Sequence, residues 1–183
     1  MDARRYDLDD VSIAVGDDLE AAAVVARVLD VDPASVALSH LCTNCGSTSH
    51  GRPLIAMPAR LRSAGISIAH SHGIDAIAVN PTGPIGVDLE SISRVARASI
   101  AASLLHPAEH PPTPRDVTRL WSAKEAVLKL LGIGLRLDPR ALHIDFGVDS
   151  AHLVSWPDGL FVGARPRIRT FAVTDDLVAA VAW

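Results

Sequence analysis

The chain has 183 residues, a formal net charge of −4 and 49% hydrophobic residues, so it can form a buried core and is not a disordered protein. No apolar run approaches the ~18 residues of a membrane span, and a mildly acidic chain without a basic run is a poor nucleic-acid binder. The amino terminus shows no apolar signal core, so we expect a cytoplasmic protein without a membrane or nucleic-acid partner.

The first half of the chain predicts one helix followed by short strands. An Asx cap and acidic first-turn residues predict a helix that begins near Asp17 and ends near Leu29. Residues 39–53 form a polar loop that contains Cys, His and Gly. The turn signal of residues 81–84 predicts a hairpin between the last two of three strands, which cover residues 66–69, 75–80 and 85–89.

The second half predicts two helices and then four strands. A helix is expected over residues 95–105. A second helix should run from Pro114 to about residue 131, with Thr113 as its N-cap and Gly132 as its C-terminal signal. The strands follow over residues 142–146, 151–156, 167–173 and 177–182. The order indicates an α+β protein with two α/β halves, residues 1–83 and 84–183.

Lysine is scarce in this chain, and the two lysines lie close together. Of the 17 basic residues 15 are Arg, and the two exceptions are Lys124 and Lys129. On the predicted helix, Trp121, Glu125 and Lys129 form one stripe at i, i+4 and i+8. A Glu–Lys surface pair, worth only about 0.3–0.5 kcal/mol, is the alternative. Arg would serve such a pair equally well, so the lysines favour a compact charge beside a phosphate oxygen.

Two acidic residues share one face of a predicted strand. Side chains alternate along a strand, so Asp88 and Glu90 point the same way while Val87 and Leu89 face the core. The two carboxylates repel one another unless a cation lies between them, and Mg²⁺ is a hard cation that carboxylates bind. The alternative is an exposed strand end with two solvated acids.

The polar loop of residues 39–53 and the end of the strand predicted over residues 66–69 offer two further candidate sites. His70, at a strand end, and Arg52 could together bind a phosphate, although a lone strand-end histidine is more often structural. A Zn²⁺ site can be built from His40, Cys42, Cys45 and His50. The alternative is a tight loop with two free thiols, since a C-x-x-C pair without a second pair is a moderate signal.

Two segments of the second half together resemble the 4′-phosphopantetheinyl transferases. Residues 86–90, which read Gly-Val-Asp-Leu-Glu and are followed by Arg94, resemble the family signature G-[IV]-D-x-E-x-x-x-R. Residues 121–129 resemble the signature W-x-x-K-E-[AS]-x-x-K, and the gap between the two fits the family. Such paired signatures are far more specific than a lone glycine motif.

Two upstream segments extend the resemblance to roughly residues 20–183. Residues 51–53 resemble the G-K/R-P element, and residues 68–71 resemble I-S-H-S, with Ala69 in place of the first serine. The resemblance is to the Sfp-type group and its W/KEA branch. It implies a monomer of two similar halves related by pseudo-two-fold symmetry, with the adenine and 3′-phosphate of coenzyme A on the first half.

The resemblance also implies the residue roles and the reaction. Mg²⁺, or Mn²⁺, would be held against the diphosphate of coenzyme A by Asp88, Glu90 and Glu125. Contacts to coenzyme A would come from Arg52, His70, Ser71, Lys124 and Lys129, with Glu109 and Trp121 in support. The implied catalytic residues are Asp88, Glu125 and Lys129.

In the implied reaction, Glu125 or a magnesium-bound water beside it takes the proton from a serine hydroxyl. The serine belongs to an apo acyl or peptidyl carrier protein and attacks the β-phosphate of coenzyme A. This is a holo-[acyl-carrier-protein] synthase activity that releases 3′,5′-adenosine bisphosphate. The sequence leaves polyketide, nonribosomal peptide and fatty-acid carriers open. The alternatives are a degenerate member that binds coenzyme A or a carrier without transfer, and a Mg²⁺-dependent phosphohydrolase.

Overall fold

In the described part of the chain, eleven strands form two larger antiparallel sheets and one hairpin. The structure, a computed structural model, describes residues 3–42, 44–147, 150–160 and 164–183. The strands are β1 (Arg4–Leu8), β2 (Val11–Gly16), β3 (Ala37–Leu41), β4 (Arg52–Met57), β5 (Gly65–Ser71), β6 (Ile74–Asn80), β7 (Gly86–Ser91), β8 (His143–Phe146), β9 (Ala151–Ser155), β10 (Ile168–Ala172) and β11 (Leu177–Ala182). The first sheet has the order β1-β2-β6-β5, the second the order β7-β11-β10-β9-β8, and β3 pairs with β4.

The helices cover the outer faces of the two sheets. They are α1 (Ala21–Val28), α2 (Ile92–Ala98), α3 (Ala101–Leu104) and α4 (Pro114–Leu131). Helix α1 packs on the first sheet through Val24 and Val25, and α4 packs on the second sheet through a larger cluster that includes Val127 and Leu128. No helix in the part of the chain that the structure describes is long and apolar enough to cross a membrane.

A third cluster of buried side chains fills the space between the two sheets. Small and β-branched residues from both sheets meet there, among them Ile13, Ala78, Val87 and Val181. The layers therefore run helix, sheet, sheet, helix, and the protein has the α+β fold expected from the sequence. The pseudo-two-fold relation between the halves, and the division into two domains near residue 83, stay predictions.

The predicted hairpin between residues 75–80 and 85–89 is wrong. Strand β6 pairs with β2 and β5, whereas β7 pairs with β11 in the other sheet. Residues 81–84 do turn, but the Asn80 side chain holds this segment as a connector by bonding to Thr82 and to the Pro84 carbonyl. The chain thus passes from the first sheet to the second at this point.

Two of the three predicted helices differ from the observed ones. Helix α1 begins at Ala21, after Glu20, and not at an Asx cap, because Asp18 lies in the left-handed region with a φ of 48°. The helix expected over 95–105 is divided into α2 and α3 by Ser99, which is also left-handed. The bounds of α4 are confirmed, with the Thr113 hydroxyl accepting from Asp116 N and Gly132 as C-cap.

Candidate active site

A glycine at the start of β7 lets α4 lie directly on this strand. A Cβ atom at Gly86 would come within 1.9 Å of the Ala126 carbonyl oxygen and 2.5 Å of Leu130 N. No side chain fits in this space, so the backbone of α4 approaches β7 more closely than any other residue would allow. The stripe of α4 that carries Glu125 and Lys129 therefore lies against the acidic residues of β7.

Strand β7 separates its apolar and acidic side chains as the alternation predicts. Val87 and Leu89 point into the cluster between the sheets. Asp88 and Glu90 point towards α4, where Asp88 is buried and Glu90 is half-buried. The Trp121 indole of α4 donates to Glu90 Oε1 at 3.0 Å. The strand thus presents two carboxylates to one face of the helix.

Lys129 joins the helix to the first of these carboxylates. Its ammonium donates to Asp88 Oδ1 at 2.7 Å and to the Val87 carbonyl at 3.0 Å. The Lys129 side chain is 29% exposed, whereas that of Asp88 is only 7% exposed. An ammonium has three donors, so one remains for a ligand on the exposed side.

Two buried carboxylate oxygens at this site have no hydrogen-bond partner among the described residues. They are Asp88 Oδ2 and Glu125 Oε1. Burial, and then the nearby charge of Asp88, raise the pKa of Glu125 to about 7 although Lys129 acts in the opposite direction. Burial and Asp88 also raise the pKa of Glu90. A cation bound here would stabilise the charged forms of Glu90 and Glu125, which burial and the charge of Asp88 disfavour.

The donor set fits a hard divalent cation such as Mg²⁺. Mg²⁺ binds one or two carboxylates and completes its octahedron with water and phosphate oxygens. The two unpartnered oxygens of Asp88 and Glu125 supply such ligands. The carboxylate oxygens of Asp88, Glu90 and Glu125 do not all lie within 4.8 Å of one another. Among the described residues, only the ligand atoms of Cys42, Cys45 and His50 meet this distance. A site with one or two direct carboxylate ligands agrees with this spacing.

Lys124 does not lie on this surface, which corrects its expected contact with the diphosphate. Its side chain is completely buried and donates at 2.7 Å to both Glu109 Oε2 and the Leu104 carbonyl. Glu109 also accepts from the backbone of His106 and Ile144. Lys124 lies about 100° around the helix from Glu125, so it faces the interior. Both residues of the pair support the fold behind the site.

A cavity of about 420 Å³ lies beside Lys129, between β4 and β5 on one side and the end of α4 on the other. Arg52 and Arg136 line it together with residues of β5 and of the turn that follows α4. Burial lowers the pKa of Arg52, whose Nε is buried without a partner in the described ranges. Arg136 donates to the Ile133 carbonyl at the end of α4. Arg136 was not predicted as a site residue, and its only signal in the sequence is its place four residues after the helix C-cap Gly132.

The structure places His70 outside the residues that line this cavity. Ile66, Ile68 and His70 share one face of β5, but only the first two border the cavity. The exposed His70 ring bonds to Asp75 across the β5–β6 hairpin. Ser71 is buried on the opposite face and lies 3.3 Å from the ring of His72. Contacts of His70 and Ser71 with coenzyme A stay predictions.

Three of the four residues in the possible zinc site come together. The ligand atoms of Cys42, Cys45 and His50 all lie within 4.8 Å of one another. Backbone N–H groups of Cys45 and Asn44 bond to the Cys42 sulfur and lower the pKa of this thiol to about 7. His40 is exposed on β3 and is not part of this group, which corrects its place in the predicted site.

Comparisons with known proteins identify a family and similar solved structures. Residues 84–182, more than half of the chain, match the family model described as the 4′-phosphopantetheinyl transferase superfamily. No curated protein sequence matches the chain. The crystal structure of the holo-ACP-synthase from Plasmodium yoelii is similar with 19% sequence identity and a TM-score of 0.43, covering 54% of this chain and 91% of that one.

Proposed function

The chain belongs to the 4′-phosphopantetheinyl transferase superfamily, and from this premise we propose that it moves the phosphopantetheine arm of coenzyme A to a serine of an apo carrier protein. The observation that carries the proposal is the pair of unpartnered oxygens of Asp88 and Glu125 beside the ammonium of Lys129. A cation and a phosphate group complete such a set of charges. The proposal extends to acyl and peptidyl carriers.

Coenzyme A is proposed to bind along the cavity beside Lys129. Arg52 and Lys129 are both part of its wall, so two cationic residues are available to neutralise phosphates. The apolar part of the wall, including Ile66 and Ile133, suits the adenine or the pantetheine chain. His70 is proposed to extend this surface along β5 towards the 3′-phosphate, whereas Ser71 lies on the opposite face of the strand.

Mg²⁺, or Mn²⁺ in its place, is proposed to bind Asp88 and Glu125, with Glu90 close to them. When bound, the cation supplies neutralisation of the charge that develops on the diphosphate. Phosphoryl-type transfer depends mainly on such positioning and charge neutralisation. The Trp121 indole orients Glu90 by its hydrogen bond.

The chain's own residues are proposed to handle the proton and the developing charge. The carrier serine oxygen forms a bond to the β-phosphorus of coenzyme A, and the bond from that phosphorus to its bridging oxygen breaks. 3′,5′-Adenosine bisphosphate leaves with the bridging oxygen. Glu125 accepts the serine proton as the general base. Lys129 directs its third N–H to the phosphate that is attacked.

A mass shift on a carrier protein tests the proposal. The protein is incubated with coenzyme A, Mg²⁺ and several apo carriers, and we expect one carrier to gain the mass of a phosphopantetheine arm. Glu125→Gln should abolish the shift with an unchanged unfolding midpoint. Glu20→Gln, an exposed change at the start of α1, is the matched control and should transfer normally. Full activity of Glu125→Gln would remove the assignment of the base.

The same experiment separates the transferase from a binding module and from a phosphohydrolase. A chain that binds coenzyme A but modifies no carrier is a binding member of the superfamily. Release of 3′,5′-adenosine bisphosphate without a carrier would indicate hydrolysis. The paired signatures and the intact set of Asp88, Glu125 and Lys129 favour transfer.

The carrier is proposed to dock on α2, which presents exposed arginines. Arg94 and Arg97 are exposed, whereas Arg115 donates to the Asp175 carbonyl and Arg119 lies over the Phe146 ring. An acidic carrier helix would complement the first two. Arg97→Glu should raise the KM for the carrier and leave the KM for coenzyme A unchanged. Arg60→Glu, an exposed change in the first half, is the control; equal effects of both variants would contradict the docking surface.

A further inference from the structure

The loop between β3 and β4 gathers three metal-binding side chains at its base. Strands β3 and β4 pair up to Leu41 and Arg52, so the ten residues between them start at Cys42 and end at Gly51. Cys42, Cys45 and His50 place one ligand atom each within 4.8 Å of the others. Both thiols are free. The transferase mechanism uses none of these three residues.

Two glycines shape this loop so that its ends meet. A Cβ atom at Gly51, where φ is 104°, would lie 2.5 Å from the Leu41 carbonyl oxygen and 2.6 Å from the Cys42 Cα. This close approach puts His50 beside Cys42. Gly46, with a φ of 71°, directs its N–H to the Cys42 carbonyl at 2.8 Å, and Cys42 N donates to Ser47 O at 2.9 Å. The backbone is thus closed around the first cysteine.

The sulfur–nitrogen distance between Cys45 and His50 matches the edge of a tetrahedral zinc site. Zn²⁺ bonds of about 2.3 Å to sulfur and about 2.0–2.1 Å to nitrogen give a tetrahedral sulfur–nitrogen edge of about 3.6 Å. Cys45 Sγ and His50 Nε2 are 3.5 Å apart. The backbone N–H groups of Asn44 and Cys45 bond to the Cys42 sulfur, which is the pattern that stabilises a metal-bound thiolate.

We propose that Cys42, Cys45 and His50 bind one Zn²⁺ that fixes the loop of residues 42–51, with the fourth position open to water. Three protein ligands with water in the fourth position is the coordination of catalytic zinc sites, and here the same coordination would hold a loop. His40 is excluded as a ligand because it is exposed on β3 outside the group.

The position of the loop gives this metal a consequence for the neighbouring cavity. Cys42, Asn44 and Gly51 line the same cavity as Arg52 and Lys129. Zinc would therefore hold one wall of the cavity in place, and this part of the inference rests on the proposed function. Removal of zinc should weaken the binding of coenzyme A, as measured by calorimetry without a carrier. The zinc site itself is tested separately, so that the failure of either can be recognised.

Metal analysis of the full chain, purified without a histidine tag, tests the site. We expect about one zinc per chain, and no zinc in Cys45→Ser and His50→Gln. His40→Gln is the matched control and should retain zinc, and its loss there would overturn the three-ligand assignment. In the unmodified protein, Co²⁺ should give tetrahedral d–d bands and thiolate charge-transfer bands. Protein that binds neither Zn²⁺ nor Co²⁺, or that contains a Cys42–Cys45 disulfide, would overturn the proposal.

Discussion

The two lysines of α4 lie five residues apart and have opposite surroundings. Lys124 is completely buried, and Glu109 beside it accepts from the Lys124 ammonium and from two backbone N–H groups. Lys129 is partly exposed, and the carboxylates near it keep two oxygens without a partner in the described part of the chain.

The difference distinguishes a charged residue that stabilises the fold from a charged residue of the same helix that belongs to a binding site. A buried ion pair in which the nitrogen and both carboxylate oxygens have hydrogen-bond partners stabilises one conformation. A network that leaves buried acceptors unpaired costs free energy unless a ligand completes it. Both lysines are rare residues in this chain, but only Lys129 lies beside buried carboxylate oxygens that lack a hydrogen-bond partner in the described ranges.

The largest effect is expected where the paired network is broken. Lys124→Met leaves the Glu109 charge buried without its cation, and we expect the free energy of unfolding to fall by about 3–5 kcal/mol. Urea denaturation measures this loss. Lys124→Met combined with Glu109→Gln should recover a large part of it. A loss of less than about 1 kcal/mol, typical of a surface pair, would contradict the comparison.

At Lys129 we expect a smaller effect, which lies in the activation free energy of transfer and not in the free energy of unfolding. Lys129→Arg replaces a compact ammonium by a planar fork that cannot hold Asp88 Oδ1, the Val87 carbonyl and a phosphate in the same geometry. We expect kcat/KM for transfer to fall about 10²-fold with an unchanged unfolding midpoint. Arg60→Lys is the matched control. Among single Arg→Lys changes, only Arg52→Lys should have a comparable effect.

A third and smaller effect is expected from the loss of the hydrogen bond from Trp121 to Glu90. Trp121→Phe removes this donor, and we expect a loss of about 1 kcal/mol in the free energy of unfolding and a higher Mg²⁺ requirement for transfer. Trp183→Phe sharpens the test, because the Trp183 Nε1 atom is buried with no partner in the described ranges. That variant should lose no hydrogen-bond energy; equal losses in both would show that ring packing is the cause.

The smallest effect concerns an acid whose surroundings favour its charge, in contrast to Glu90. Hydrogen bonds from Ser91, and then from Ser93, lower the pKa of Asp176. Their contribution to stability is present above the ordinary Asp pKa and is lost as the pH falls through the lowered folded value. Asp176→Asn should therefore be less stable than the wild type at pH 7 and approach it at acidic pH. Unfolding curves across this range test the sign, and a constant difference would contradict it.

Local signals in the sequence predicted the elements whose ends are set by neighbouring residues. Helix α4 is the clearest case, because the Thr113 hydroxyl, Pro114 and Gly132 act within one turn of its ends. The alternation that separates Asp88 from Val87 is equally local. These are the parts of the fold and of the site that could be predicted with correct boundaries.

Contacts between distant segments could not be predicted in the same way. Residues 81–84 signal a turn, but no local rule says that β7 then leaves β6 for β11. The partner of Lys124 is Glu109, which precedes it by 15 residues and is not on the helix, so spacing along α4 could not reveal it. Strands β1 and β2 were also missed, although they form a local hairpin whose turn contains the left-handed Asp9.

Gly86 links the packing of the protein to its chemistry through a single absent methyl group. The separation between α4 and β7 is set at this position, and the same separation decides whether Glu125 and Lys129 meet Asp88. A larger residue there would at once lengthen the distances between the site residues of α4 and β7 and loosen the packing of the core behind them. The chain therefore cannot adjust its active-site spacing gradually at this point, and relatives with another residue at this position would need a differently docked helix.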